Sequence, residues 1–386
     1  MSNQKKNFLL TAGRSPSTLD LARQLHLAGG HHVYIADTIS WHVCRASNAV
    51  KENFIVPSPR FQTEEFIEAL IQIIESKKID CLIPTFEEIL YISTHLDRFP
   101  KNCKIFSSSF NTLLRLHNKW FFYEEQIKHG IPTPETFLIK SKEDLKQLNP
   151  KTTYALKACY SRSAQSIYKI VPEEKLPKIE IEPHNPWIAQ KWLEGKRFCT
   201  YSVCENGKVL AHSVYPVQIA IEGHYCLNFE SVSHPKILEW IERFVAAENF
   251  TGQTGFDFFE MEDGTVYAIE CNPRATHGLV LFKKEDRLDK AFTGEAKELV
   301  TPKIGNKKQI AAAMMIYGWK SARKEKKIKE FFNILFKTPD IVFNSQDLKP
   351  FLCTPIIYSN YIYESLKVRK NITAAFTNDF NWEGKN

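Results

Sequence analysis

The chain has 386 residues, 51 Lys+Arg against 44 Asp+Glu, a formal charge of +7 and nine cysteines. That length predicts two or three domains and a core large enough to fold without disulfide staples. With 43% hydrophobic and 25% charged residues, a disordered chain, a collagen and a disulfide mini-protein are excluded. The longest apolar run, Ile310 to Tyr317, falls far short of the roughly 20 residues of a membrane span. Phe8 to Ala12 is too short for a signal-peptide core. Cysteines without a CxxC pair read as reduced thiols, and the expected compartment is cytoplasmic.

Along the chain, Phe8 to Ala12 reads as a buried strand and Gly13 to Pro16 as a turn. Leu19, Ala22 and Leu25 line one face of a helix closed by Gly29-Gly30. His32 to Ala36 is a second strand, Glu64 to Ser76 a helix and Asp80 to Pro84 a further strand. This alternation predicts βαβ units and a parallel sheet. No GxGxxG follows the first strand, which argues against a dinucleotide there. A helix is predicted from Asn111 to Gly130, and Ile131-Pro132-Thr133-Pro134 forces extended chain. Tyr154 to Lys157 and Ile167 to Ile170 read as strands around a serine-rich loop, and Trp187 to Gln190 as another. Phe198 to Cys204 and Val209 to Tyr215 flank Asn206-Gly207, a hairpin signal. Pro235 to Asn249 is helical, and Gly255 to Glu270 is a second hairpin.

The second hairpin carries the sharpest chemistry. If Asp263-Gly264 is a two-residue turn, Asp257 faces Glu270 across the ladder, with Cβ atoms ~5 Å apart. Carboxylates that close repel unless a proton or a cation lies between them. Asn272 lies two residues past Glu270 and shares its face. This oxygen-only set suits Mg²⁺ better than zinc. An exposed polar hairpin face would explain any single carboxylate as well. Arg274, two residues further on, suits a phosphate or carboxylate and would stabilise charge on a phosphoryl group in transfer.

With these motifs in hand, the sequence resembles the ATP-grasp superfamily, closest to the carbamoyl-phosphate-synthase-like carboxylate-amine ligases, over roughly residues 8 to 290. The resemblance implies an α/β and α+β fold: a pre-ATP-grasp, Rossmann-like domain at 1–110 and a two-lobed ATP-grasp fold at 111–190 and 191–295. A C-terminal extension would occupy 296–386. It implies that Asp257, Glu270 and Asn272 hold magnesium, with Mn²⁺ as an alternative, and that Lys119 and Lys157 touch ATP phosphates. Arg274 and Lys157 would be catalytic. Gln190-Lys191-Trp192-Leu193-Glu194-Gly195 resembles the hinge whose backbone meets adenine, with Gln190 and Leu193 as contacts. The flap after Lys157 is glycine-rich in the family; here no glycine occurs between Gly130 and Gly195. Ser161, Arg162 and Ser163 stand there as candidate phosphate contacts. Lys196-Arg197 occupies the place where the family often has an acid for the ribose. The implied reaction activates a substrate carboxylate as an acyl phosphate for attack by an amine or another nucleophile. The alternative is a non-catalytic ATP-binding sensor.

The remaining candidates are weaker. Glu87-Glu88 could sit at the ends of parallel strands, where ligands bind, or simply favour a helix dipole. Neither a P-loop nor a GxSxG elbow occurs. Tyr215, Gln218 and Arg162 are guesses for substrate contacts. The net charge concentrates at 301–340, where ten Lys+Arg meet three acids, so it no longer argues for nucleic acid. Ile328, Phe331, Phe332, Leu335 and Phe336 recur at helical spacing beside those lysines, an amphipathic helix. Packing on the body is the favoured reading, with membrane-surface contact by 320–337 as the other.

Overall fold

In the protein's computed structural model, which describes residues 5–161, 167–174, 177–217, 220–221, 225–324, 326–382 and 384, the N-terminal region forms a parallel sheet. Its strands are β1 (Asn7–Thr11), β2 (His32–Asp37), β3 (Glu52–Ile55), β4 (Cys81–Ile83) and β5 (Lys104–Ile105), in the order β3-β2-β1-β4-β5. The apolar runs forecast as strands supply its core: Phe8, Leu9, Leu10 and Val33 are fully buried. Helix α1 (Pro16–Gly29) starts where Ser15 caps the Ser17 N–H, and stops at left-handed Gly30. Helices α2 (Thr63–Lys77) and α3 (Glu88–Ser93) complete this region. The loops after β1, β2 and β4 leave the carboxyl edge of the sheet, where open α/β folds receive ligands.

The helix expected from 111 to 130 is two helices, α4 (Phe110–His117) and α5 (Lys119–Lys128). Asn118 breaks it: its backbone is extended (φ −79°, ψ 122°) and its side chain accepts from the Trp120 and Phe121 N–H groups. An Asn can cap a new helix in this way because its side-chain oxygen replaces the missing backbone acceptor. The break makes Lys119 the first residue of α5, with its own N–H bonded to the Cys159 carbonyl at 3.2 Å.

An antiparallel sheet follows: β6 (Thr136–Ile139), β7 (Tyr154–Ala158), β8 (Ile167–Ile170) and β9 (Trp187–Lys191), in the order β6-β9-β7-β8. A second combines β10 (Lys196–Glu205) and β11 (Lys208–Pro216) with two later strands. The β10–β11 turn is the predicted Asn206-Gly207, both at positive φ (49° and 76°). Short strands β12 (Ala220–Ile221), β13 (Tyr225–Cys226) and β14 (Asn228–Glu230) lead to α6 (Pro235–Ala247). Strands β15 (Gly252–Glu260) and β16 (Val266–Asn272) complete the sheet order β11-β10-β15-β16. Trp240 and Phe244 of α6 pack on Phe256 of β15, and Phe122 of α5 joins them, so one aromatic core fixes α5 against the hairpin.

The β15–β16 turn departs from expectation. It is a three-residue loop, Glu262 to Gly264, with the Met261 N–H bonded to the Thr265 carbonyl and Gly264 at φ 78°. Alone, this would shift every facing pair by one. A bulge at Ile269 restores the register: Phe258 pairs with Ala268, but Asp257 pairs with Glu270 and Gly255 with Asn272. Gly255 is needed where it stands. A Cβ there would lie 2.4 Å from the Thr276 methyl and 2.6 Å from the Thr200 carbonyl.

Helix α7 (Asp289–Thr293) and β17 (Lys307–Gln309), which pairs with β14, precede the C-terminal helices. These are α8 (Ala311–Ala313), α9 (Trp319–Lys324), α10 (Ile328–Lys337), α11 (Lys349–Leu352), α12 (Thr354–Val368) and α13 (Ile372–Thr377). The amphipathic stretch is α10. It buries Phe331 in a cluster with Leu227, Met314 and Ala322, while Phe332 and Phe336 remain exposed. No helix among the described residues is long and apolar enough to cross a membrane. Cys44, Cys81, Cys103, Cys159, Cys204 and Cys271 are buried thiols.

Candidate active site

Four elements converge on one charged cleft. From the second antiparallel sheet come Asp257 and Glu270, directly opposed, with Asn272 on the same face. Burial and the Glu270 charge push the Asp257 carboxyl up to about 6. That is the signature of two carboxylates wanting a proton or a cation between them. From the first sheet comes Lys157 of β7, whose ammonium is buried and donates to Gln190 Oε1 at 2.9 Å. Burial pulls its pKa down to about 8, opposed by Glu270 and assisted by Lys119. From the start of α5, the buried Lys119 Nζ lies 3.4 Å from Glu270 Oε1 and donates to the Ser161 carbonyl at 3.0 Å. The set therefore pairs two buried ammonium groups with two opposed carboxylates and an amide oxygen.

Arg274 closes the cleft toward the N-terminal sheet. Its Nη2 donates to Asn272 Oδ1 at 3.0 Å, its Nε lies 3.5 Å from Glu87 Oε1, and its guanidinium sits 5.0 Å over the Phe86 ring. Burial lowers its pKa, while Glu270 and Asp257 oppose the shift. Burial also holds two nearby imidazoles neutral: His117 is lowered to about 3 and His277 to about 4, each helped by the Arg274 charge. Glu88 is turned inward. Its Oε1 accepts from the Thr85 and Phe86 N–H groups at 3.0 Å and from the Thr11 hydroxyl.

Sequence reasoning brought Asp257, Glu270, Asn272, Arg274, Lys119 and Lys157 to one place, and the structure brings them together. Gln190 lies on β9, beside Lys157 of β7. Its side chain is committed to Lys157 and to Thr136 Oγ1. It therefore orients the lysine. The signal was readable in principle: Ala155 pairs with Gln190 and Lys157 with Ile188, so the two polar side chains are diagonal neighbours. Leu193 is half-buried in the segment joining β9 to β10. The Ser161 hydroxyl bonds back to the Ala158 carbonyl at 3.1 Å, leaving its own carbonyl to hold Lys119. Arg162, Ser163 and Gln218 lie outside the described residues. Tyr215 is buried against Phe229. Glu87, the partner of Arg274, was given no such part by the sequence.

Residues 116–278 match a family model described as an ATP-grasp domain. Solved structures share the fold at low identity. N5-carboxyaminoimidazole synthetase from Staphylococcus aureus aligns at TM-score 0.61 and 13% identity, over 78% of this chain and 81% of that one. Biotin carboxylase from Campylobacter jejuni, solved as a complex with β,γ-ATP, gives 0.60 and 14%, over 77% and 72%. An L-amino acid ligase from Bacillus licheniformis gives 0.56 and 14%, over 75% and 76%. No curated protein matches the sequence.

Proposed function

We propose, from the match of residues 116–278 to an ATP-grasp domain model, an ATP- and Mg²⁺-dependent ligase that activates a carboxylate as an acyl phosphate for attack by an amine or another nucleophile. The observation that carries this reading is the opposed Asp257–Glu270 pair, with Asn272 beside it and two buried lysines facing it. The donor set is all oxygen, which fits Mg²⁺, and the raised Asp257 pKa marks a place where a cation relieves repulsion.

Asp257, Glu270 and Asn272 would hold the divalent ion, which supplies charge neutralisation at phosphate oxygens. Lys119 and Lys157 stand where their ammonium groups neutralise the remaining phosphate charge. Gln190 keeps Lys157 aimed, and Glu87 with Asn272 keeps Arg274 aimed at charge developing on the transferred group. In such chemistry positioning and electrostatics supply most of the rate, and the attacking oxygen belongs to the substrate, so no protein nucleophile is required.

A panel of carboxylates and amines assayed for ADP release, with mass spectrometry of the products, tests the reading. At least one pair should release ADP with Mg²⁺ present and form an adduct, and Glu270→Gln should abolish both. ATP binding with no turnover across a broad panel would favour a sensor instead.

A further inference from the structure

Residues 376–382, which the ligase reading does not require, lie beside the candidate cleft. Arg14, in the loop after β1, is buried and forks onto Asp379: Nη1 to Oδ1 and Nη2 to Oδ2, each at 2.9 Å. Asp37 grips the same guanidinium from the end of β2, and Thr38 contacts Asp379. The Arg60 N–H bonds the Asp379 carbonyl at 3.1 Å. A buried, bidentate arginine pair of this kind fixes both distance and angle, so the segment is pinned to the ligand-facing edge of the parallel sheet.

From that pin the segment runs over the loop that holds Arg274. Phe380 is buried, with its ring 6.1 Å from Phe86, the ring beneath the Arg274 guanidinium. The Tyr91 hydroxyl donates to the Asn381 carbonyl at 2.7 Å. Trp382 is buried edge-on against Tyr91 and Phe110, and its backbone N–H donates to Glu87 Oε2 at 3.4 Å. Glu87 Oε1 is in turn 3.5 Å from Arg274 Nε. A Cβ on Gly384 would lie within 3 Å of the Tyr160 ring, in the bend after β7.

We propose that residues 376–382 form a strap that completes the carboxylate-acceptor end of the cleft, positioning Arg274 through Phe86 and Glu87. The proposal rests on the ligase reading and adds what that reading lacks: a wall for the acceptor side, supplied by the C-terminus. Asp379, Phe380 and Trp382 are positioning residues. The nucleotide-side groups Lys119, Lys157 and Gln190 bond to one another's elements and to Glu270 instead, and should not depend on these contacts.

The test compares the full chain with a chain ending at Thr377, and with full-length Asp379→Asn in case the shorter chain does not fold. Calorimetry with Mg–ATP and backbone hydrogen exchange are read on each. Loss of the strap should raise exchange about tenfold or more at residues 84–91 and 272–276, because local opening there becomes easier. Exchange at 154–158 and 187–191, and Mg–ATP affinity, should stay within about threefold. A synthetic peptide of residues 378–386 should restore protection. With a carboxylate–amine pair that is turned over, kcat or the KM for the acceptor should change while the KM for ATP does not. Unchanged exchange at both segments would overturn the proposal. So would loss of Mg–ATP affinity alongside it, because the strap would then brace the whole fold. Absence of Mg–ATP binding by the full chain would sink the ligase reading, leaving the exchange comparison to decide the strap.

Discussion

Helix α5 carries a charged cluster at each end, and the two are built on opposite principles. At its C-terminal end, Glu125, His129 and Glu248 lie close enough to resemble a metal site, yet every carboxylate oxygen has a basic side chain against it. Arg115 meets both acids, at 3.0 Å and 2.8 Å; Lys128 meets Glu125 at 2.7 Å and His129 meets Glu248 at 2.6 Å. This cluster is saturated and ties α4 and α5 to α6. At the N-terminal end, Lys119 faces Glu270, which itself faces Asp257. Asp257 is raised to about 6 and Lys157 lowered to about 8. Charges whose neighbours satisfy them hold a fold together; charges left in conflict mark where a ligand enters.

The comparison can be broken most forcefully by crossing the two clusters. Lys157→Met should cut ATP turnover by about 10³-fold, since an aligned cation on a transferring phosphate is worth roughly 3–4 kcal/mol, with thermal stability kept. Glu248→Gln should do the reverse, costing about 1–2 kcal/mol of stability by weakening the bonds to Arg115 and His129, with Mg–ATP affinity unchanged in calorimetry. A stability change of the same sign at both ends would erase the distinction.

A subtler test uses the sign of the Asp257 shift. Its pKa is higher folded than unfolded, so the folded state binds more protons between about pH 4 and 6 and loses stability as pH rises through that window. At pH 8 the ionised pair is a net cost. Asp257→Asn should therefore stabilise the nucleotide-free protein by about 1–2 kcal/mol, read as a raised melting temperature, while removing any stabilisation by Mg–ATP. Smallest is the pH profile of Mg–ATP affinity. It should fall below about 6 as Asp257 takes a proton, and above about 8 as Lys157 loses one. Gln190→Leu should pull the upper limb to lower pH, because it removes the bond that holds the lysine's proton.

What the sequence made legible follows the same division. Lys157, Glu270, Asn272 and Arg274 stand on short local motifs whose strand parity sets where they point. The Asp257–Glu270 pairing was correct through two departures that cancel, a longer turn and a bulge at Ile269; neither leaves a mark that Asp-Gly patterning can read. The break at Asn118 was missed because Leu113, Leu116 and Lys119 fit one helical period across it. The bond from Lys157 to the Gln190 side chain goes unread because a hinge resemblance says nothing about side-chain partners. The route from Arg14 to Asp379, and from Trp382 to Glu87, joins opposite ends of the chain, and no local spacing encodes it.

The central claim is that the conflicted cluster, and not the saturated one, holds the nucleotide and its metal. Calorimetric titration of Mg–ATP into the wild type, the Asp257→Asn/Glu270→Gln double variant and Glu248→Gln tests it directly. The account predicts Mg²⁺-dependent binding in the wild type, a loss of about 100-fold or more in the double variant, and wild-type affinity in Glu248→Gln. Retention of Mg²⁺-dependent binding by the double variant would contradict it.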